Sequence, residues 1–420
     1  MPRPFALAAL VLAALLRLPG LACAAQPEQV NFLHYWTGHM SGGIADAAAA
    51  FNQSQDRFRL RATGFEHESF KIGIKVMLES GNPPDLFSYW AGARTQALVD
   101  AGKLAPLDDV WAEAGLDSRF PPQVAAACTY NGRKYVIPLT QHWVGLFYNA
   151  GLFRKLGIAP PADWESFKAA CRTLKAAGVT PLALGSRERW PAQFWFDLLL
   201  LRTAGPAWRE ELVTGRASYR APESRRAFAL WRELLDEGFF APDPGRYDWA
   251  EACMMVASGK AAMTLMGTWA AGLYEAQVKL APGRDFDVFP FPAVDPGAPC
   301  VSLGPIDAVA VPREGNVAAA KAAAVFFSEA GPQQAMSAGS GALAPSSLAP
   351  PSFYGPLQAR VRAFINDCPH WAFNYDLATP PAVAAAGLEA LASFLAHPED
   401  LDAILARLDE QAAKAAKPAP

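Results

Sequence analysis

Val30-Asn31-Phe32-Leu33-His34-Tyr35-Trp36 reads as a buried strand, and the elements downstream of it decide the architecture. A helix is expected over Ile44–Gln53 and a second strand over Phe58–Thr63. The same alternation continues. A helix over Phe70–Ser80 stops at Gly81, Asn82-Pro83-Pro84 turns the chain, and Asp85–Ser88 forms a short strand. Thr95–Ala101 reads as a helix, and Tyr135–Leu139 and Val144–Tyr148 as strands. Pro160-Pro161 opens a helix over Ala162–Ala177 that Gly178 closes before a strand at Thr180–Leu184. Helices over Pro191–Thr203, Pro222–Glu237 and Trp249–Ser258 lead to strands at Ala261–Met266, Asp287–Pro290 and Ala308–Val311. An alanine-rich helix over Asn316–Ser328 precedes a mostly helical C-terminal quarter. Strands interleaved with helices define an α/β protein.

The chain has 420 residues, enough for two or three domains with large cores. Hydrophobic residues make up 52%, so disorder as a whole is excluded. The formal net charge of −3 and the lack of a basic run argue against a nucleic-acid partner. Arg3, the apolar stretch Phe5–Leu16 and the small residues Ala22 and Ala24 have the layout of a secretory signal peptide, residues 1–24, cut before Ala25. Lipidation at Cys23 is the rival reading, disfavoured because Gly20 stands where lipoprotein signals usually carry Leu. Five cysteines then remain, with no spacing that suits zinc, and their pairing stays open between disulfides and buried thiols. No metal or cofactor is expected.

Several local patterns occur in one order. They are Tyr35-Trp36-Thr37-Gly38, Gly81-Asn82-Pro83-Pro84-Asp85, Asn131-Gly132-Arg133-Lys134-Tyr135-Val136-Ile137-Pro138 and Phe147-Tyr148-Asn149. Gly157–Phe167, Gly259-Lys260-Ala261-Ala262-Met263 with Gly267-Thr268-Trp269, and Asn316–Phe327 with Gln333-Gln334-Ala335 complete the series. Together, from about residue 28 to about 395, they resemble the extracellular solute-binding proteins of ABC importers, in the maltose-binding-protein-like branch that mostly binds carbohydrates. Each motif is weak alone; their shared order carries the resemblance. It implies a type II fold of two α/β lobes joined by three crossovers. The first lobe would hold residues 25–139 plus about 295–335, the second 140–294 plus about 336–420. It also implies a periplasmic monomer that binds a small carbohydrate, hands it to an inner-membrane permease and does no chemistry on it.

The residues themselves agree in part. Of 12 tryptophans, several follow strand ends, where open α/β sheets bind ligands. An indole offers a flat face to the C–H face of a pyranose, whose rim hydroxyls need polar partners. A tryptophan taken alone is more often core, but family position makes Trp36, Trp90 and Trp269 stacking candidates, with Trp190, Trp249 and Trp371 behind them. Gly267 is expected to let the backbone approach the ligand near Trp269. Trp111, Trp164, Trp208 and Trp231 read as packing. Asp307 enters an apolar strand and must find partners, which sugar hydroxyls would supply. Gln141 and His142 at the first crossover, and Glu66 after the second strand, are the remaining polar candidates; His67, Arg187, Arg189, Tyr375 and Asp376 rank below them.

Two other functions compete with this one. The same scaffold could bind a betaine-like solute by cation–π attraction. A secreted carbohydrate-active enzyme would need two facing carboxylates, and no Gly-x-Ser-x-Gly, phosphate-binding glycine loop or His-Glu-x-x-His motif marks an active site.

Overall fold

The computed structural model describes residues 26–415. The expected signal peptide and Cys23 lie outside the described residues. Among these residues no helix is long and apolar enough to cross a membrane.

Two sheets organise the chain. The first contains β1 (Glu28–His34), β2 (Phe58–Gly64), β3 (Leu86–Trp90), β4 (Val136–Gln141) and, from much later in the chain, β10 (Ile306–Ala310), in the order β2-β1-β3-β10-β4. β1 runs parallel to β2 and β3, while β10 is antiparallel to both its neighbours. The C-terminal ends of β1, β3 and β4 and the N-terminal end of β10 therefore share one edge. The second sheet has the order β8-β5-β7-β6, from β5 (Val144–Asn149), β6 (Thr180–Ala183), β7 (Ala261–Gly267) and β8 (Phe286–Phe289). A parallel pair, β9 (Val301–Leu303) with β11 (His370–Ala372), stands apart. At three residues each, these strands are too short to show a periodicity.

Helices cover both sheets. α1 (Ser41–Ser54), α2 (His67–Glu79) and α3 (Ala93–Asp100) follow the first three strands. α4 (Trp164–Ala176), α5 (Gln193–Thr203), α6 (Pro222–Asp236), α7 (Trp249–Ala257) and α8 (Trp269–Ala276) surround the second sheet. α9 (Val317–Phe326), α10 (Ala330–Ser340), α11 (Tyr375–Ala378), α12 (Pro381–Ala396) and α13 (Leu401–Ala415) complete the fold. Their ends follow local chemistry. Asp163 and Asp248 cap α4 and α7 by accepting from Ser166 N at 2.8 Å and Glu251 N at 2.7 Å. α5 is buried on every side, which explains its continuous apolar run.

Two hydrophobic cores result. One draws on Val30–Leu139, returns with Ile306–Met336 and takes in Leu377; the other spans Trp143–Leu303 and resumes at Leu343. Val301 and Leu303 still pack into the second core, and Ile306 opens the return to the first. Three segments cross between the lobes, near residues 141–144, 303–306 and 341–343. Backbone hydrogen bonds from Gln141 N to Leu343 O (2.9 Å), Leu343 N to Gln141 O (2.8 Å) and His142 N to Pro305 O (3.0 Å) tie the crossings together. Cys300 and Cys368 form a disulfide, while Cys128, Cys171 and Cys253 are buried thiols.

Candidate functional site

The shared strand edge of the first sheet faces the matching edge of the second across a cavity of about 120 Å3. β1 leads into Tyr35 and Trp36, β3 ends on Trp90, and Asp307 pairs with Trp90 at the start of β10. From the second lobe, the loop after β6 contributes Trp190, the first turn of α7 Trp249, and the first turn of α8 Trp269. His142 enters from the first crossing.

The aromatic groups form one continuous lining. Tyr35 stacks on Trp90 at 4.5 Å and 13°, so one indole face is covered from within the first lobe. His67 meets Trp90 at 5.3 Å and Trp190 at 6.2 Å, spanning the two lobes. Trp269 packs edge-on against Trp190 (5.9 Å) and His142 (5.2 Å). Trp36 is 1% exposed, wedged among Phe32, His34 and Tyr35. It borders the cavity without an open face. The expected role of Gly267 also changes: a Cβ there would lie 2.0 Å from the Trp269 ring, so the glycine makes room for that indole rather than for a ligand.

The polar groups are buried and incompletely satisfied. Asp307 accepts from Thr140 Oγ1 at 2.6 Å, and His142 Nε2 lies 3.5 Å away. Burial pushes its carboxyl up to about 6, against the opposing hydrogen bond from Thr140. Burial pushes His142 down to about 3, so this imidazole is neutral near pH 7 and does not neutralise the carboxylate. Its Nδ1 lies 2.8 Å from Thr268 Oγ1 in the other lobe. The Tyr35 hydroxyl faces Asp307 outside good hydrogen-bonding geometry. Trp36, Trp190, Arg94 and Asn374 also border the cavity, and Trp36 Nε1, Trp190 Nε1, Arg94 Nε and Asn374 Oδ1 are buried without a partner. Such groups cost about 1–3 kcal/mol each when left unpaired.

One ion pair bridges the lobes at the cavity wall. Arg94 of α3 donates to Asp376 of α11 at 2.9 Å, and Gln193 of α5 accepts from Asp376 N at 2.7 Å. Here a glycine is required. Gly92 has φ +112°, and a Cβ would lie 2.3 Å from the Leu377 carbonyl oxygen.

The cavity thus brings together Trp36, Trp90, His142, Trp190, Trp249, Trp269 and Asp307. Glu66, Gln141 and Trp371 do not border it. Glu66 is the N-cap of α2, accepting from the backbone N–H groups of Glu68 and Ser69 at 3.0 Å. Gln141 is held in β4 by its backbone bonds to Leu343. Trp371 sits in the short β9–β11 pair. Tyr35, Lys71, Arg94, Gln193 and Asn374 line the cavity without having been expected there from sequence. Tyr35 was within reach, as the neighbour of Trp36 in a shared motif. Arg94 and Asn374 carry no local signal, because their place depends on how α3 meets the segment before α11.

This chain belongs to the bacterial extracellular solute-binding protein family, whose model matches residues 64–334. An uncharacterised ABC transporter extracellular-binding protein of Pyrococcus horikoshii is 30% identical over 275 residues, covering 64% of this chain and 62% of that protein. A probable sugar-binding periplasmic protein of Mesorhizobium japonicum is 29% identical over 282 residues, covering 65% and 66%. The chain therefore spans no more than two thirds of these two relatives. Solved structures share the fold across nearly the whole chain. The bacterial solute receptor AcbH, described as having an exclusive preference for β-D-galactopyranose, superimposes with a TM-score of 0.85 at 24% identity, covering 93% of this chain and 100% of the other. The GacH receptor of Streptomyces glaucescens, studied unliganded and with acarbose, gives 0.78 at 21% identity, covering 92% and 98%. The architecture is the two-lobe type II periplasmic binding fold.

Proposed function

We propose that this protein captures a small carbohydrate between its lobes, divided at the crossings near residues 141–144, 303–306 and 341–343, and delivers it to the permease of an ABC importer. The observation that carries the reading is the convergence of unpartnered buried polar groups among indoles. Tyr35, Trp36 and Arg94 face the cavity from one lobe, Trp190 and Asn374 from the other. A polyhydroxylated ring supplies donors and acceptors at its rim and C–H faces to the indoles. Trp90 and Trp269 would stack, Asp307 would accept from hydroxyls, and His142 would read another. Closure would be a hinge motion at the three crossings, and the closed form would present both lobe surfaces to the permease. Export through a cleavable segment at residues 1–24, a periplasmic location and a monomeric state accompany this reading. Similarity to proteins named sugar-binding supports it.

A cationic solute such as a betaine fits less well, since Lys71 and Arg94 already place positive charge beside Trp90, 6.0 and 5.6 Å from its ring. The test is thermal unfolding against mono- and oligosaccharides, polyols and betaines. A ligand at 100 times its Kd adds about 2.7 kcal/mol. A rise in Tm with one sugar, recovered intact by chromatography, supports the proposal. A rise with a betaine and no sugar sinks it, and release of altered sugar would make the protein an enzyme.

A further inference from the structure

Away from the cleft, the second lobe contains another cavity, of about 160 Å3. That is well above the roughly 10–15 Å3 needed to hold one water. Its walls are apolar, built chiefly from Trp143, Leu198, Phe291, Val301 and Phe364, and the Cys300–Cys368 disulfide closes one side. One buried charge breaks this pattern. Arg202, in the last turn of α5, is 7% exposed and lines the cavity.

Its guanidinium has five N–H donors, yet its side chain makes one protein hydrogen bond, from Nη1 to Val301 O at 3.3 Å. Among the described residues it forms no ion pair, and burial pulls its pKa below the usual arginine range. The other buried arginine of α5's surroundings shows the contrast: Arg209 is held bidentately by Asp197 at 2.9 Å. The C-terminal carbonyls of α5 give Arg202 only partial negative charge. Asp367 stands exposed on the cavity rim. An unpaired buried charge is costly and calls for a counter-ion. Guanidinium and carboxylate match as a fork. A carboxylate with a hydrocarbon body would pair with the guanidinium and also fill the apolar walls, which a bare inorganic anion cannot do.

We propose that this cavity is a second ligand site for a small monocarboxylate with an apolar body, its carboxylate on Arg202 and its hydrocarbon part against Trp143, Phe291 and Phe364. The proposal does not depend on what the cleft binds.

The test is thermal unfolding and equilibrium titration of the purified protein at constant pH and ionic strength, with acetate, butyrate, hexanoate and benzoate, and with chloride and hexanol as controls. The expected result is one-to-one binding that tightens from acetate to hexanoate, with no comparable shift from chloride or hexanol. Arg202→Met should weaken hexanoate binding at least tenfold, and Trp269→Ala should leave it unchanged. Should Arg202→Met fail to fold, the hexanoate–hexanol comparison on the unaltered protein still decides. No shift with any carboxylate overturns the proposal. Equal shifts with hexanol and hexanoate do so too, as would a shift lost in Trp269→Ala but kept in Arg202→Met, which would place the acid in the cleft. Asp367→Asn separates the last alternative: loss of stability without carboxylate, and no carboxylate binding, would make Asp367 the counter-ion through water and overturn the proposal.

Discussion

Asp307→Asn should make the empty protein more stable and a worse receptor. The carboxyl is held at about 6 against an ordinary 3.8, chiefly by burial. A difference of about 2 units corresponds to about 3 kcal/mol between the two protonation states. The sign follows from proton binding. The folded state holds this proton more tightly than the unfolded chain, so the group favours folding below about pH 4, and that contribution is lost as pH rises through 6. At pH 8 the unaltered protein carries a buried carboxylate beside a neutral His142. An amide of the same shape keeps its oxygen for Thr140 Oγ1 and carries no charge to bury. The variant should gain about 2–3 kcal/mol at pH 8, and the gain should fall toward zero near pH 4. Urea unfolding of both proteins at several pH values, read at constant m, measures this difference and cancels the titrations they share. Calorimetric titration with the sugar found by the screen should show at least tenfold weaker binding, since a hydrogen bond to a charged group contributes about 1.5–3 kcal/mol. A variant less stable than its parent at pH 8, or a stability gap independent of pH, would refute the reasoning: the neighbours would then be stabilising the carboxylate.

Acid should destabilise the fold through its histidines. Burial holds His142 at about 3 and His34 at about 4, against an ordinary 6.5. The unfolded chain therefore takes up protons that the folded one refuses, and each histidine costs about 2 kcal/mol at pH 5. Urea midpoints at pH 7 and 5, taken in the Asp307→Asn background to remove the opposing carboxyl, should show the loss, and equal midpoints would contradict it. Trp269→Ala should reduce sugar affinity tenfold or more while the chain still unfolds cooperatively; unchanged affinity by calorimetry would return Trp269 to a packing role. Gly92→Ala should weaken sugar binding, because its Cβ would strike the Leu377 carbonyl beside the Arg94–Asp376 pair. A residue with a Cβ forced into this glycine-only backbone conformation costs about 1–3 kcal/mol, so unaltered stability and affinity would refute the contact.

Much of the fold was legible because burial period and turn chemistry are local. The strands of both sheets were expected within about two residues of where they lie, and Gly178 and Gly238 do follow the ends of α4 and α6. The β9–β11 pair was not legible, since neither strand is long enough to alternate and their pairing spans the last crossing. Residues at or after strand ends are the ones a sequence can point to, and sheet topology does gather Trp36, Trp90, Trp190 and Asp307 around the cavity. A carboxylate after a strand, such as Glu66, reads alike as ligand or cap, and in the fold it accepts from the backbone N–H groups of α2. Nothing local tells an indole in a short strand, where Trp371 lies, from one at a cleft. Arg94 and Asn374 were invisible, being placed by a contact between segments nearly 300 residues apart.

The unpartnered groups also bear on how a ligand could close the cleft. A ligand shifts the balance between open and closed forms only by its differential affinity for them. Turning a population from 1:99 to 99:1 takes about 5.5 kcal/mol. Tyr35, Trp36 and Arg94 stand on one side of the cavity and Trp190 and Asn374 on the other. If each hydrogen bond that a ligand completes contributes about 1–1.5 kcal/mol, satisfying this set supplies roughly what the shift needs. A molecule that reached only the first three would bind to one lobe and leave the closed form little favoured. Selectivity in such a receptor then lies less in the tightness of any one contact than in having donors and acceptors that match both walls at once.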